Sequence, residues 1–327
     1  MKFRPVVNRL SRLVFLVVTT ILLLWRGWGA VQLNQAFVTL NHQPSVLTDD
    51  QDPIILATTE MQLSTALQYL GPAISIQRML AVVQRAQGQR TSSIDVTVGD
   101  LLWWGEQKEK AGEWPAAAYL YHWATDQQPD LGDSWLHLGR AYEMQDLTDE
   151  AMDAYLLAAA APTWHTFGPS DAYLALGNLT LVTESGLARD YYEQALELDQ
   201  FGDAAAKAAT HYQLGELLLL HEVNPVAAIP HYQAALAMSP NDHWVQLRLG
   251  YALYWGTGDL PAAVTTIHQA IQDWPDEKYL QWPYFYLGEI YENAGLATEA
   301  VAAYERVLQL DPAHELAQQR LTILRSP

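Results

Sequence analysis

Trp135-Leu136-His137-Leu138-Gly139-Arg140-Ala141-Tyr142, followed by Ala151-Met152-Asp153-Ala154-Tyr155-Leu156-Leu157-Ala158 and then Pro162, is the stretch that decides the architecture of this chain. Trp135, Leu138 and Tyr142 recur at i, i+3, i+7, one stripe of an α-helix. Ala151, Tyr155 and Ala158 form a second stripe at i, i+4, i+7. Between them, Gln145-Asp146-Leu147-Thr148 reads as a polar turn of hairpin length. Thr148 is placed to N-cap the second helix, and Asp149 and Glu150 complement its dipole. Gly139 and Ala151 leave room for two helix backbones to approach, with aromatic side chains around the contact.

The pattern returns with a period of about 34 residues, six times in all. The last copy has Tyr284, Leu287, Gly288 and Tyr291, then Ala300, Tyr304, Val307 and Pro312. The first has Leu101, Trp104 and Gly105, then Ala117, Tyr121, Ala124 and Pro129. The third turn is one residue short, and Gln200 replaces the closing proline. The fourth copy (Leu214, Gly215, Ala228, Tyr232, Ala235, Pro240) carries one extra residue in its turn. The fifth (Leu249, Gly250, Ala263, Ile267, Ala270, Pro275) is longer around Gly256-Thr257-Gly258-Asp259. No single pair buries its apolar face alone, so neighbouring pairs must stack.

Over about Val98 to His314, these residues resemble the tetratricopeptide repeat (TPR) family. The resemblance implies an all-α fold, a right-handed TPR superhelix (α-solenoid) of about six helix-turn-helix repeats. In this family the concave groove usually binds a peptide or another protein. The repeats are expected at 98–131, 132–165, 170–202, 208–242, 243–277 and 281–314, with a capping helix over 315–327. Ala317, Leu321 and Leu324 should face inward there, and Gln318, Gln319 and Thr322 should face water.

Ahead of the repeats, Leu13 to Trp25 is an apolar run broken only by two threonines and preceded by Lys2, Arg4, Arg9 and Arg12. Its length suits a signal-peptide core. Extension to Val31, with Arg26 snorkelling and Trp25 and Trp28 at the interface, suits one transmembrane helix. Bulky Trp28 disfavours cleavage after Ala30, so the reading is an uncleaved signal anchor. Residues 1–12 are then a basic cytoplasmic N-terminus and 13–31 the single-pass anchor in the cell membrane. Residues 32–57 form a linker, 58–97 a helix pair acting as cap or degenerate repeat, and the repeats are extracytoplasmic. Leu63, Ala66 and Leu70, then Ile76, Leu80 and Val83, carry the helical spacing of that pair.

Five basic residues lie before position 27, leaving 13 of the 18 Lys and Arg against 37 acidic residues in the remainder. That surface repels nucleic acid. It either favours basic or neutral partners or is a solvated acidic coat. The chain has no cysteine, which excludes disulfides, thiolate metal sites and cysteine nucleophiles. It has no GxGxxG, P-loop, GxSxG or HExxH pattern, so no enzyme, metal or cofactor reading arises.

The resemblance implies that first helices line the groove. The facing positions are two before the Leu (or Trp104) of each pair, and one and four after the Gly. They are Leu102, Glu106 and Glu109; Leu136, Arg140 and Glu143; Leu174, Asn178 and Leu181. They continue as Tyr212, Glu216 and Leu219; Leu247, Tyr251 and Tyr254; Phe285, Glu289 and Glu292, with Trp244 and Trp282 on a similar side. Only Arg140 and Asn178 fit the basic clamp that some TPR proteins close on a C-terminal carboxylate, which favours a basic or amphipathic peptide here. The expected function is a non-enzymatic, membrane-anchored scaffold that holds or assembles envelope proteins. The aromatic set of Trp244, Tyr251, Tyr254, Trp255 and Trp282 supports a second reading, a glycan-binding or polysaccharide-assembly accessory.

Overall fold

The computed structural model describes residues 31–32, 53–70, 80, 83–84, 96–272 and 274–326. Fourteen α-helices lie among them and no strand, apart from one isolated bridge between Leu131 and Thr163. The chain divides into two compact units, 1–163 and 164–327. The expected anchor falls almost wholly outside the described residues. Among those residues no helix is long and apolar enough to cross a membrane.

In the first unit, α1 spans Pro53–Leu70. It begins inside the stretch read as linker, because that stretch's polar composition gives way to Ile54-Ile55-Leu56 directly after Pro53, a residue preset for a helix start. Leu63 and Ala66 are buried, as is Val83. Two helix pairs follow: α2 (Val98–Lys110) with α3 (Trp114–Gln127), and α4 (Gly132–Glu143) with α5 (Thr148–Ala160). Thr97 and Asp100 close a reciprocal capping box on α2. On α5 the expected Thr148 cap is replaced. Leu147 is the capping residue, with no side-chain bond, so Thr148 sits in the first turn and Asp149 and Glu150 carry the end electrostatically.

The second unit holds four pairs and a closing helix. They are α6 (Pro169–Thr180) with α7 (Ser185–Leu198), α8 (Ala204–Glu216) with α9 (Pro225–Met238), α10 (His243–Thr257) with α11 (Leu260–Gln272), and α12 (Gln281–Asn293) with α13 (Ala297–Leu310). Helix α14 (Glu315–Leu324) buries Ala317 and Leu321 against α13 and exposes Gln318, Gln319 and Thr322.

One contact organises the pairs. The second-helix tyrosine lies against the first-helix glycine: a Cβ on Gly139 would stand 2.5 Å from Tyr155 Cδ1, and one on Gly215 2.8 Å from Tyr232 Cε1. The small residue therefore makes room for a ring rather than for the partner's backbone, which refines the sequence expectation. Tyr121, Tyr155, Tyr192, Tyr232 and Tyr304 fill this role and are buried; Ile267 fills it in the fifth pair.

Length changes are absorbed in the turns. Five of the six intra-pair turns contain one residue in the left-handed region: Gly112, Asp146, Val223, Gly258 and Gly295. The third turn, one residue short, has none. The extra residue of the fourth pair is taken up by a π-helical turn, Leu217–His221, followed by Val223 at φ 51°. Where the third pair lacks its proline, the Gln200 N–H donates to Ser170 Oγ at 2.9 Å, and Ser170 Oγ donates to the Ala195 carbonyl at 2.9 Å. A proline has no N–H to make that bond.

Candidate functional site

The first-helix wall of unit 1 carries Leu102, Glu106, Glu109, Leu136, Arg140 and Glu143. Leu102 is half-buried against the cluster of Ala117, Tyr121 and Leu138. Glu109 Oε1 lies 3.4 Å from His137 Nδ1, and His137 stacks on Tyr121 at 4.9 Å between ring centroids. Burial works against the Glu109 charge, but His137, Tyr121 and Arg140 outweigh it and hold the carboxyl below its ordinary pKa. Tyr155 donates from its hydroxyl to Glu143 Oε2 at 2.6 Å. Leu136 is part-buried. Arg140 is exposed and closes no ion pair among the described residues.

The wall of unit 2 begins with part-buried Leu174 and Leu181 beside Asn178, whose Oδ1 accepts from the Tyr192 hydroxyl at 2.8 Å. The next repeats carry a continuous polar network. Tyr232 donates to Glu216 Oε1 at 2.6 Å, and Arg248 Nε lies 3.0 Å from the same oxygen. Arg248 Nη1 donates to the Tyr286 hydroxyl at 2.8 Å, and its guanidinium stands over the Tyr286 ring at 5.5 Å. The Glu216 and Arg248 side chains are only 13% and 18% exposed. Burial disfavours the Arg248 charge, and Glu216 more than offsets it, so the guanidinium is held more firmly protonated than usual. Burial, with Glu216 behind it, pushes the Tyr232 hydroxyl up, so it stays a neutral donor.

Tyr251 meets Tyr286 edge-on at 4.9 Å and Trp255 at 5.9 Å, and Trp255 meets Tyr254 at 5.3 Å. Tyr254 donates to Asn293 Oδ1 at 2.9 Å. Tyr212 is part-buried, 6.1 Å from the Tyr232 ring. Glu292 Oε2 accepts from Tyr304 at 2.9 Å, and its Oε1 lies 3.5 Å from Arg320.

Three expected groove residues are buried instead. Leu219, at 6% exposure, is turned into the core by the π-helical turn. Leu247 is fully enclosed among Ile267, Leu287 and Ile290. Phe285 packs on Tyr304 at 5.7 Å and stacks on His314 at 4.9 Å. The expected single aromatic set is also divided. Trp244 contacts Trp274, just past α11, and Trp282 contacts His314, just before α14. Both stay exposed, at 43% and 39%, and neither has a ring contact with the Tyr251–Trp255–Tyr286 group. Trp255 is 41% exposed.

Four wall residues escaped the sequence reading: His137, Arg248, Tyr286 and Arg320. All stand one before the Leu of a pair, or before Leu321 at the matching place in α14. Each reaches back to the preceding first helix, to Glu109, Glu216, Tyr251 and Glu292 respectively. The signal was present as a recurrent polar or aromatic residue beside a core leucine.

The family model described as tetratricopeptide repeat matches residues 104–164 and 247–315. Bacteriophage adsorption protein A of Escherichia coli strain K12 is 27% identical over 49% of this chain. The chain spans about a fifth of that protein's length, 19%. Among solved structures, the TPR protein YrrB superposes with a TM-score of 0.50 at 20% identity, covering 62% of this chain and 97% of YrrB. Pseudomonas aeruginosa pilF superposes with a TM-score of 0.55 at 14% identity, covering 69% of this chain and 96% of pilF. These structural likenesses concern the fold.

Proposed function

With residues 104–164 and 247–315 taken as tetratricopeptide repeats, we propose that the chain is a non-enzymatic scaffold whose first-helix walls hold a segment of another protein. The observation that carries this reading is the recurrent wall itself. In four of the six pairs a second-helix tyrosine donates to a wall residue one or four after the Gly: Glu143, Asn178, Glu216 and Glu292. Such anchoring fixes rotamers before a ligand arrives, which lowers the entropy cost of binding. The excess of carboxylates and rings favours a basic or amphipathic segment over an acidic one.

The apolar, basic-flanked N-terminal segment supports placement at the cell membrane, with the repeats outside the cytoplasm and the partners in the envelope. Likeness to part of a bacteriophage adsorption protein accords with an outward-facing position. Because the chain has no cysteine, one placed at Gln51 reports topology cleanly. Labelling by an impermeant thiol reagent is expected once the envelope is made accessible; protection there would reverse the orientation.

In-cell photocrosslinking tests the binding role. A photoreactive residue at Tyr251 should give a discrete protein adduct, and one at exposed Asp190 on second helix α7 should not. Equal adducts at both positions would reject the wall as the binding face. A second reading rests on the exposed rings of Trp244, Trp255 and Trp282, which suit stacking on sugar. Retention of the chain on a polysaccharide gel, lost in Trp244→Ala or Trp282→Ala, would select it over the protein-binding reading.

A further inference from the structure

We propose that Glu289, Tyr251 and Tyr286 form a subsite for one arginine side chain of the bound segment. The proposal rests on the wall-binding reading above and names a side chain that the reading leaves open. Unit 2 contains its own example of the recognition. Glu216 of α8 pairs with Arg248 of α10, whose guanidinium lies over the Tyr286 ring and donates to its hydroxyl. Carboxylate, guanidinium and tyrosine together satisfy a charge pair that is mostly withdrawn from water.

Glu289 stands one after Gly288, as Glu216 stands one after Gly215. The residue in register to answer it is Arg320, one before Leu321, as Arg248 is one before Leu249. Arg320 is instead 3.5 Å from Glu292, and its side chain is 46% exposed. Glu292 thus takes the one arginine in register, and Glu289 closes no hydrogen bond or ion pair among the described residues. It is nevertheless part-buried, and it acts electrostatically on both Tyr251 and Tyr286. Burial, opposed by Arg320 and aided by Glu292, pushes its carboxyl up from the ordinary value. A withdrawn carboxylate without a donor is costly, and an entering cation relieves that cost.

Adjacent rings favour arginine. Tyr251 and Tyr286 meet edge-on at 4.9 Å, with Trp255 flanking Tyr251, so a planar guanidinium can stack while its N–H groups reach the carboxylate. Arg248, the nearby cation of the wall, does not repel such a guest, because Glu216 neutralises it.

The test titrates the full chain, by calorimetry, with a short amphipathic peptide carrying one central arginine and with its uncharged citrulline isostere. The arginine peptide should bind about tenfold more tightly. Glu289→Gln should bring the two within about twofold, with unchanged circular dichroism, whereas Glu299→Gln, at an exposed carboxylate on second helix α13, should leave the preference standing. Preference retained in Glu289→Gln overturns the subsite, as does failure of the arginine peptide to bind at about 1 mM. If the Tyr251 photocrosslink still captures a protein in that case, only the subsite falls. If the crosslink fails too, the wall-binding reading falls with it.

Discussion

The first-helix walls of the two units solve one problem with different chemistry. In unit 1 a carboxylate from the preceding repeat, Glu109, meets a histidine, His137, at 3.4 Å. In unit 2 the matching place holds arginine, and Glu216 meets Arg248 at 3.0 Å. A histidine contact can be made with a neutral ring and lost at modest cost. The arginine contact cannot, because the guanidinium is charged at every working pH. Both units therefore bury a carboxylate at the joint between repeats, but only unit 2 answers it with a permanent cation.

The largest expected effect follows from that difference. Arg248→Ala leaves Glu216 as a withdrawn, unpaired carboxylate and should destabilise unit 2 by about 3 kcal/mol. His137→Ala should cost unit 1 about 1 kcal/mol. Chemical denaturation resolved by hydrogen exchange separates the two units. Equal losses would break the contrast. Addition of Glu216→Leu to Arg248→Leu should recover much of the deficit, because the pair is then replaced by apolar contact.

A second prediction concerns what the units share. Gly139→Ala drives a methyl into the Tyr155 ring and should cost about 2 kcal/mol through overpacking. Pairing it with Tyr155→Leu should relieve the clash. If the double variant is no better than the single, the ring is not what the glycine accommodates.

Much of this was legible in the chain. The Leu-Gly marks, the small–large–small stripes and the turn lengths follow from helical period, and all concern residues whose burial fixes their spacing. The wall was harder. Leu247 and Phe285 obey the groove-facing spacing, yet α11 and α12 cover Leu247, and α13 and α14 cover Phe285. Leu219 was lost because a π-helical turn rotates everything after Glu216, and no local residue type announces such a turn. His137, Arg248, Tyr286 and Arg320 act across the joint between repeats, so spacing within one helix could not assign them.

Acidification should separate the units more gently. His211 on α8 and His231 on α9 face each other with Nδ1 atoms 3.2 Å apart. Burial, the facing histidine and Lys207 lower the His211 pKa to about 4, against a lesser pull upward from Asp199. Burial lowers that of His231 too, against Glu193. A histidine depressed in the fold is held neutral there and takes up protons on unfolding. Its stabilisation is present above the unfolded value near 6.5 and is lost as pH falls toward 4. Glu109 of unit 1, also depressed, loses its contribution only below the ordinary carboxyl value of 4.5. Between about pH 6.5 and 4.5, exchange protection should therefore weaken around α8 and α9 before it weakens in α2 to α5. His211→Asn together with His231→Asn should flatten that response, and a response unchanged by the pair would assign it elsewhere.

The smallest effect tests the inserted turn. Val223 is β-branched and sits at φ 51°, a region such side chains avoid. The corresponding turns use glycine at Gly112, Gly258 and Gly295. Val223 is largely exposed, at 79%, so little packing is forfeited by removing it. Relief of about 1–2 kcal/mol of left-handed strain, reduced by the greater entropy of an unfolded glycine, leaves Val223→Gly about 0.5–1 kcal/mol more stable. Gly258→Val in the fifth pair should show the reverse sign, since Gly258 occupies the same region at φ 73° with open space around it. Opposite shifts in thermal midpoint would tie both turns to one backbone requirement. Shifts of the same sign would mean that the π-helical turn ahead of Val223 has changed what its position demands.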